Sequence, residues 1–437
     1  MARFAVTTLG CKVNQYESAG ITEALLRHGH SLVPFSDMAD IYIVNTCTVT
    51  GKTDYQSRQL IRRAHRTNPA ASIIVTGCYA QTAPEKLAGL PGVTLVVGSE
   101  RKEDIPDLIK GGLNTTHEVM VSNIADKKDF SGLCPTSFPG HTRAYLKIQD
   151  GCNAFCSYCI IPYARGRSRS LPEVDVLERV ANLSAAGYRE IILSGIHLGM
   201  YGYDLAPGSN LLSLLRKIEA QGKVERLRIS SIEPMEVSDE LVGHIKDSQI
   251  ICRHLHIPLQ SGDNSVLKSM KRVYTRTQFR NRIARILDSI PGIAVGIDVM
   301  VGFPGEGDNE FHATKELIAG MDVAYLHVFP YSPRHGTEAF GLAAKVSEPV
   351  KKERGAILRE IGRKKRFDFH RRFVGQRLAV LIEDTRDRET GLMKGFSDNY
   401  VPVLLTDGDD SLANRIVDIT VDTIRGGKVL GRKTQTF

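Results

Sequence analysis

Short apolar runs alternate with amphipathic stretches along most of this chain, and the two periods separate cleanly. RFAVTTL, DIYIVNTC, SIIVTGC and VTLVVG are apolar runs of strand length, whereas QYESAGITEALLRHG and SRQLIRRAHR carry their apolar residues at helical spacing. Apolar strands in alternation with helices predict a parallel sheet covered on both faces. Residues 1–112 are therefore expected to form a three-layer α/β unit. Residues 113–142 are rich in Gly, Pro, Ser and Thr, show weak periodicity and read as a linker.

A second alternation runs over residues 143–370. AYLKIQDG, REIILSGI, RLRISSI, HLHIPLQSG, AVGIDVMVG and YLHVFPYS are strand candidates, with helical stretches such as EVDVLERVANLSAAG and QFRNRIARILDSI between them. Repeated βα units predict a barrel-like parallel sheet. Six units instead of eight leave it incomplete, a partial (β/α)6 barrel with an open side. Over 371–437 the pattern changes again. RLAVLIED, YVPVLLTD and NRIVDITVDTI read as short strands of a small antiparallel β-barrel.

No run approaches the roughly 18 unbroken apolar residues of a membrane helix. The start, MARFAVTTLG, leads into a strand and lacks the layout of a signal peptide. A cytoplasmic protein with no membrane partner is expected. The net charge is +8, and it is concentrated. Residues 351–377 hold eleven Lys/Arg against three Asp/Glu, which equals the surplus of the whole chain. This is either the footprint of a polyanion, with Arg363, Lys364, Lys365 and Arg366 at its centre, or a solvated helix face. Arg58, Arg62, Arg63 and Arg66 form a second candidate surface.

Eight cysteines in a reducing compartment point to metal or catalytic use over disulfides. Cys152, Cys156 and Cys159 are spaced C-x3-C-x2-C, directly after the first strand of the second alternation. Three thiolates can hold three irons of a four-iron cube and leave the fourth open. The alternative is a zinc site completed by a distant His. Cys11, Cys47 and Cys78 each fall at, or just after, the end of a predicted strand. In a parallel sheet those ends share one rim, so three cysteines distant in sequence become neighbours and a second metal-site candidate. Cys134 and Cys252 have no evident partner. Other polar residues also collect at strand ends of the barrel: Ser194, Gly195 and His197, then Ser230, Ser231 and Glu233, then Gln260 and Ser261, then Asp298 and Gly302.

The cysteine trio on a six-unit βα pattern resembles the radical S-adenosylmethionine (SAM) superfamily. TLGCKVNQYES, NTCTVT, TGCYAQ, DGCNAFCSYCIIPYARGRSRS, SGIHLGMYG, RISSIEP, HIPLQSG, VGFPGE and HVFPYS resemble segments of its methylthiotransferases, as does the three-part order. GCKVNQYES and NTCTVT are most similar to the branch that acts on N6-threonylcarbamoyladenosine, 3′ of the tRNA anticodon. The resemblance implies a radical SAM core over 143–370, a TRAM RNA-binding barrel over 371–437, and an auxiliary-cluster domain over 1–112. It implies two 4Fe–4S clusters, one on Cys152, Cys156 and Cys159 and one on Cys11, Cys47 and Cys78. It also implies SAM held near Ser194, Gly195, Ser231, Glu233, Gln260 and Asp298. The implied partners are the tRNA anticodon loop, an electron donor such as flavodoxin or ferredoxin, and a sulfur source. Three readings compete with this one. The same chemistry could act on isopentenyladenosine or on a ribosomal-protein aspartate, or the chain could be a non-enzymatic zinc and RNA-binding protein.

Overall fold

The computed structural model describes residues 1–111, 118–130 and 132–434. The N-terminal part is a six-stranded parallel sheet of β1 (Arg3–Thr8), β2 (Ser31–Leu32), β3 (Ile41–Thr46), β4 (Ser72–Gly77), β5 (Val93–Val97) and β6 (Glu118–Met120), in the order β2-β1-β3-β4-β5-β6. β3 is buried at every position, as a central strand of a doubly covered sheet must be. Its side chains alternate between two cores. Tyr42 and Val44 pack with Ile61 and Ala64 of the helix Gly51–Thr67, and Ile41 and Ile43 pack with Ile21 and Leu25 of the helix Lys12–Arg27. The three-layer arrangement is therefore present. β6 comes from the stretch that reads as linker, because its three residues are too few to show a period. Part of that stretch, 112–117 and 131, lies outside the described residues.

The helix Lys12–Arg27 is covered twice. Its Tyr16 and Ala19 belong to the core of the central unit, so its polar Asn14 and Glu17 have no access to water.

The central unit contains the six expected strands: β7 (Ala144–Lys147), β10 (Glu190–Ser194), β11 (Arg226–Ile229), β12 (His254–His256), β13 (Ala294–Val301) and β14 (Tyr325–Pro330). A two-stranded antiparallel clip, β8 (Gln149–Asp150) and β9 (Arg169–Ser170), precedes β10. The strands form two parallel sheets, β7-β10-β11 and β12-β13-β14, joined by parallel bridges at Leu227–Ile251 and Ser231–His256. The result is a curved, open six-strand array. The basic helix Glu348–Arg371 runs along the free edge at β14, where a Cβ at Gly362 would lie 3.1 Å from the Leu326 side chain.

The C-terminal strands β15 (Arg377–Arg386), β16 (Met393–Ser397), β17 (Pro402–Leu405), β18 (Ile416–Arg425) and β19 (Lys428–Lys433) close into a barrel in the order β15-β16-β17-β19-β18. Four of its pairings are antiparallel, and the closing pair β17–β19 is parallel. Arg226 donates to the carbonyl of Ala379 at 2.6 Å and Arg228 to that of Asp398 at 2.9 Å, which fastens this barrel to β11. No helix among the described residues is long and apolar enough to cross a membrane.

Candidate functional site

β1, β3 and β4 are adjacent in the sheet, and the chain leaves each at the same rim carrying Cys11, Cys47 and Cys78. Backbone geometry sets these positions. Gly77, just before Cys78, has φ +100°, and a Cβ there would lie 2.3 Å from the Thr46 carbonyl oxygen, so only glycine fits. A Cβ at Gly10 would lie 3.0 Å from Cys47 Sγ, which shows how closely the first loop approaches the second cysteine. Burial pushes the Cys47 thiol up to about 12, and its neighbours Cys78 and Cys11 push the same way.

The second trio sits in the loop after β8. Gly151, with φ +73°, allows the turn into Cys152, since a Cβ there would collide with the Arg167 carbonyl. The Cys152 N–H donates to the Gly166 carbonyl at 3.0 Å and the Cys159 N–H to Cys156 at 2.9 Å. Burial lifts the Cys159 thiol to about 12, helped by Cys156 and Cys152. Cys47 and Cys159 therefore resist ionisation unless a cation joins them, and a metal-bound thiol is deprotonated outright. Two sets of three sulfurs therefore fit iron–sulfur clusters that each lack one protein ligand. A fourth ligand for zinc also lies near the second set, because His197 Nδ1 is 3.4 Å from Cys152 Sγ. Burial alone would make this imidazole less basic, but its contacts with Cys152 and Glu236 raise it to about 10. Glu236 Oε1 is 2.6 Å from Nε2.

A cavity of about 250 Å³ lies beside Cys159 and the segment that follows Cys47. Val49 and Thr50, just after Cys47, form one wall, and Cys159, Ile160, Gln260, Asp298, Met300 and Phe329 form others. Thr50 is held there as the N-cap of the helix Gly51–Thr67, accepting the Thr53 N–H at 3.2 Å. The Gly51 N–H donates to Ser332 Oγ at 2.9 Å, which seals the N-terminal unit against the loop after β14.

Of the SAM-contact candidates, Gln260 and Asp298 line this cavity. Ser194 is buried at the end of β10, and Gly195 is packed against Gln149. Ser231 is bonded to His256 Nδ1 at 2.7 Å, and His256 Nε2 in turn lies 3.2 Å from Asp298. Burial would raise the Asp298 carboxyl, but bonds from His256 and from His327, at 3.3 Å, bring it down to about 2. Glu233 forms an ion pair with Arg272, whose other nitrogen is 3.4 Å from Cys156 Sγ. Sequence reasoning missed Gln149, Arg272, His256 and His327. Gln149 accepts the N–H groups of Ile196 and His197 at 2.9 and 2.7 Å and joins the two strand-end loops.

The members of the basic quartet differ in their contacts. Arg363 pairs with Glu360, Lys364 pairs with Asp368 at 2.6 Å, and Lys365 donates to the carbonyls of Ala319 and Met321. Arg366 faces a groove of about 560 Å³ at the β14 edge, which Arg363 also lines, with Arg359, His327 and Phe329. It also lines an adjoining cavity with Tyr325, His370, Phe396 and Tyr400. In the other candidate surface, Arg58 is engaged with Tyr79 Oη at 2.8 Å, while Arg62, Arg63 and Arg66 are exposed. Cys252 is buried, and Cys134 is half-buried.

Comparison with known proteins places the chain in a family. The profile of the uncharacterized protein family UPF0004 matches residues 3–98, and that of the radical SAM superfamily matches residues 146–318. The chain is 41% identical over 96% of its length to the threonylcarbamoyladenosine tRNA methylthiotransferase MtaB of Bacillus subtilis, covering 94% of that protein. It is 39% identical over 88% of its length to the MtaB of Aquifex aeolicus, again covering 94% of that protein. It is 33% identical to the tRNA-2-methylthio-N(6)-dimethylallyladenosine synthase of Pelotomaculum thermopropionicum, over 99% of this chain and 97% of that one. Among solved structures, the radical S-adenosylmethionine methyltransferase TsrM of Kitasatospora setae, determined with cobalamin and a 4Fe–4S cluster bound, shares the fold. Its TM-score is 0.55 at 17% identity, covering 76% of this chain and 77% of that one.

Proposed function

The chain belongs to the radical SAM tRNA methylthiotransferases, and from this premise we infer that it adds a methylthio group to carbon 2 of N6-threonylcarbamoyladenosine in tRNA. The observation that carries the substrate is the ordering of the relatives: five that act on threonylcarbamoyladenosine stand at 34–41% identity, and three that act on the dimethylallyl nucleoside at 30–33%. Carbon 2 of adenine carries an unactivated C–H bond that acid–base catalysis cannot ionise, so radical chemistry is required. Its cofactors are SAM and 4Fe–4S clusters. When bound, one cluster supplies the electron that cleaves SAM and the other an iron that carries the sulfur.

We assign Cys152, Cys156 and Cys159 to the first cluster and Cys11, Cys47 and Cys78 to the second. What supports the assignment is that Cys11, Cys47 and Cys78 share one rim of the sheet, that Cys152, Cys156 and Cys159 share one loop, and that Cys159 and the Val49–Thr50 segment after Cys47 line one cavity. Gln260 and Asp298 on that cavity wall are our candidates for contact with SAM or the base. Ser194, Gly195, Ser231 and Glu233 then shape the surrounding strand ends, with Glu233 acting through Arg272. Arg359 and Arg366 are the cations we assign to the RNA backbone, since neither is drawn into an ion pair among the described residues. A one-electron donor of the flavodoxin or ferredoxin kind and a separate sulfur source complete the reaction, and a tRNA substrate points to the cytoplasm.

The test is nucleoside mass spectrometry of tRNA from a host lacking this activity, with and without the gene restored. A threonylcarbamoyladenosine peak that gains one methylthio group supports the reading. The same gain on the isopentenyl nucleoside would overturn the substrate while keeping the chemistry.

A further inference from the structure

Between the two cysteine sites lies a dry cluster of charge that belongs to neither. Glu17 and Asp150 are buried there with Lys102, Lys147, Arg165 and Arg169, so four cations face two carboxylates. A buried surplus of positive charge calls for anions beside it. Cys78 of the first trio is a neighbour of Arg165.

Arg165 is the hub. Its Nη1 lies 2.9 Å from Glu17 Oε1 and 3.0 Å from Asp150 Oδ1, and its Nη2 donates to Asn14 Oδ1. The Asn14 amide nitrogen in turn donates to the carbonyls of Leu9, at 2.7 Å, and Thr46, at 3.0 Å. Leu9 is two residues before Cys11, and Thr46 immediately precedes Cys47. On the other side, Asp150 Oδ1 accepts the Gly151 N–H at 2.9 Å, and the Gly166 carbonyl, one residue after Arg165, accepts the Cys152 N–H. One guanidinium thus reaches both cysteine sites through no more than one intervening side chain on each side. Its planar fork can satisfy three acceptors in fixed directions, which an ammonium cannot.

We propose that Arg165 is a positioning residue that holds the Cys11–Cys47 loops and the Cys152 turn in one register, so that sulfur and radical meet at the same carbon. This rests on the methylthiotransferase reading for its consequence, but the geometric claim stands apart from it.

The experiment uses the anaerobically reconstituted full chain carrying Arg165→Lys, which keeps the charge and loses the fork. Two quantities are read. The first is the dipolar interaction between the two reduced clusters in pulsed EPR, which reports their separation and orientation and is indifferent to stability. The second is methylthiolated nucleoside formed per 5′-deoxyadenosine released. A changed dipolar interaction is expected, with a fall of about ten- to a hundred-fold in product per 5′-deoxyadenosine, as for sub-ångström to ångström misplacement of reacting groups. If the variant does not load both clusters, Asn14→Ser carries the test, because it cuts the Arg165 link while leaving the Glu17 and Asp150 pairs. An unchanged interaction and an unchanged ratio in whichever variant loads would overturn the proposal. So would failure of both variants to load, which would make the linkage merely structural. If the wild type releases 5′-deoxyadenosine but methylthiolates no nucleoside, the functional reading fails, and the EPR comparison still decides the positioning claim.

Discussion

The guanidinium of Arg272 lies 3.4 Å from the sulfur of Cys156. The Arg272 side chain is 6% exposed, pairs with Glu233 and donates to Tyr274 Oη at 3.1 Å, so two partners hold it against the sulfur. Hydrogen bonds and net charge at the sulfurs set the potential of an iron–sulfur cluster. Arg272→Gln removes a cation beside Cys156 and should shift the midpoint potential of the cluster we assign there by tens of millivolts in the negative direction. A potentiometric EPR titration measures this. A potential that stays at the wild-type value would mean that Arg272 serves Glu233 and Tyr274 alone.

His370 ends the basic helix in a buried position, where burial, reinforced by Arg366, lowers its pKa to about 4 from an ordinary 6.5. The folded chain therefore binds this proton less readily than the unfolded chain. Its stability contribution is complete above pH 6.5 and is lost as pH falls toward 4. Between pH 7 and pH 5 the loss should be about 2 kcal/mol. Thermal melts across that range should show His370→Gln lacking this part of the pH dependence. An equally steep fall in the variant would assign the pH dependence to other groups.

Two neighbours in the basic run should behave differently. Arg366 faces the groove at the β14 edge, whereas the Lys365 ammonium is engaged by the carbonyls at the end of the helix Asp308–Gly320. Arg366→Ala should weaken tRNA binding and reduce the slope of log affinity against log salt by about 1, as for one phosphate contact. Lys365→Ala should leave that slope nearly intact and cost about 0.3–1 kcal/mol of stability through the lost helix-end interaction. Filter binding at several salt concentrations, with melts alongside, separates the two. Equal slopes for both variants would restore the view of an undifferentiated basic face.

That contrast marks what the sequence makes legible. The parallel strands that precede Cys11, Cys47 and Cys78 follow from local apolar runs and their alternation with helices, which is information each segment carries in itself. The convergence of the three cysteines then follows from the shared rim of a parallel sheet. The burial of Asn14 and Glu17 has no such local sign. On a helix of ordinary amphipathic pattern they read as the solvent side, and only packing against β7, some 130 positions later, removes the water. Likewise, four consecutive basic residues look alike in sequence. Their fates are decided by Glu360, Asp368, Met321 and the open β14 edge. The closing parallel pair β17–β19 is hidden for the same reason, since pairing direction in a barrel depends on how the chain crosses it.

The division of labour between the two cysteine sets is the sharpest test of the whole arrangement. Cys156 sits at the barrel's strand ends beside Arg272, and Cys47 is buried in the N-terminal unit, two residues before the cavity wall at Val49. If each set holds its own cluster, the two losses are separable. Cys156→Ala should abolish release of 5′-deoxyadenosine, and methylthiolation with it. Cys47→Ala should still release 5′-deoxyadenosine but leave threonylcarbamoyladenosine without its methylthio group. Chromatography of the SAM products and mass spectrometry of the nucleosides read both outcomes from one reaction. Equal loss of 5′-deoxyadenosine in the two variants, with the barrel still folded and the remaining cluster present, would show that the sites are not independent. The assignment of separate roles would then fall.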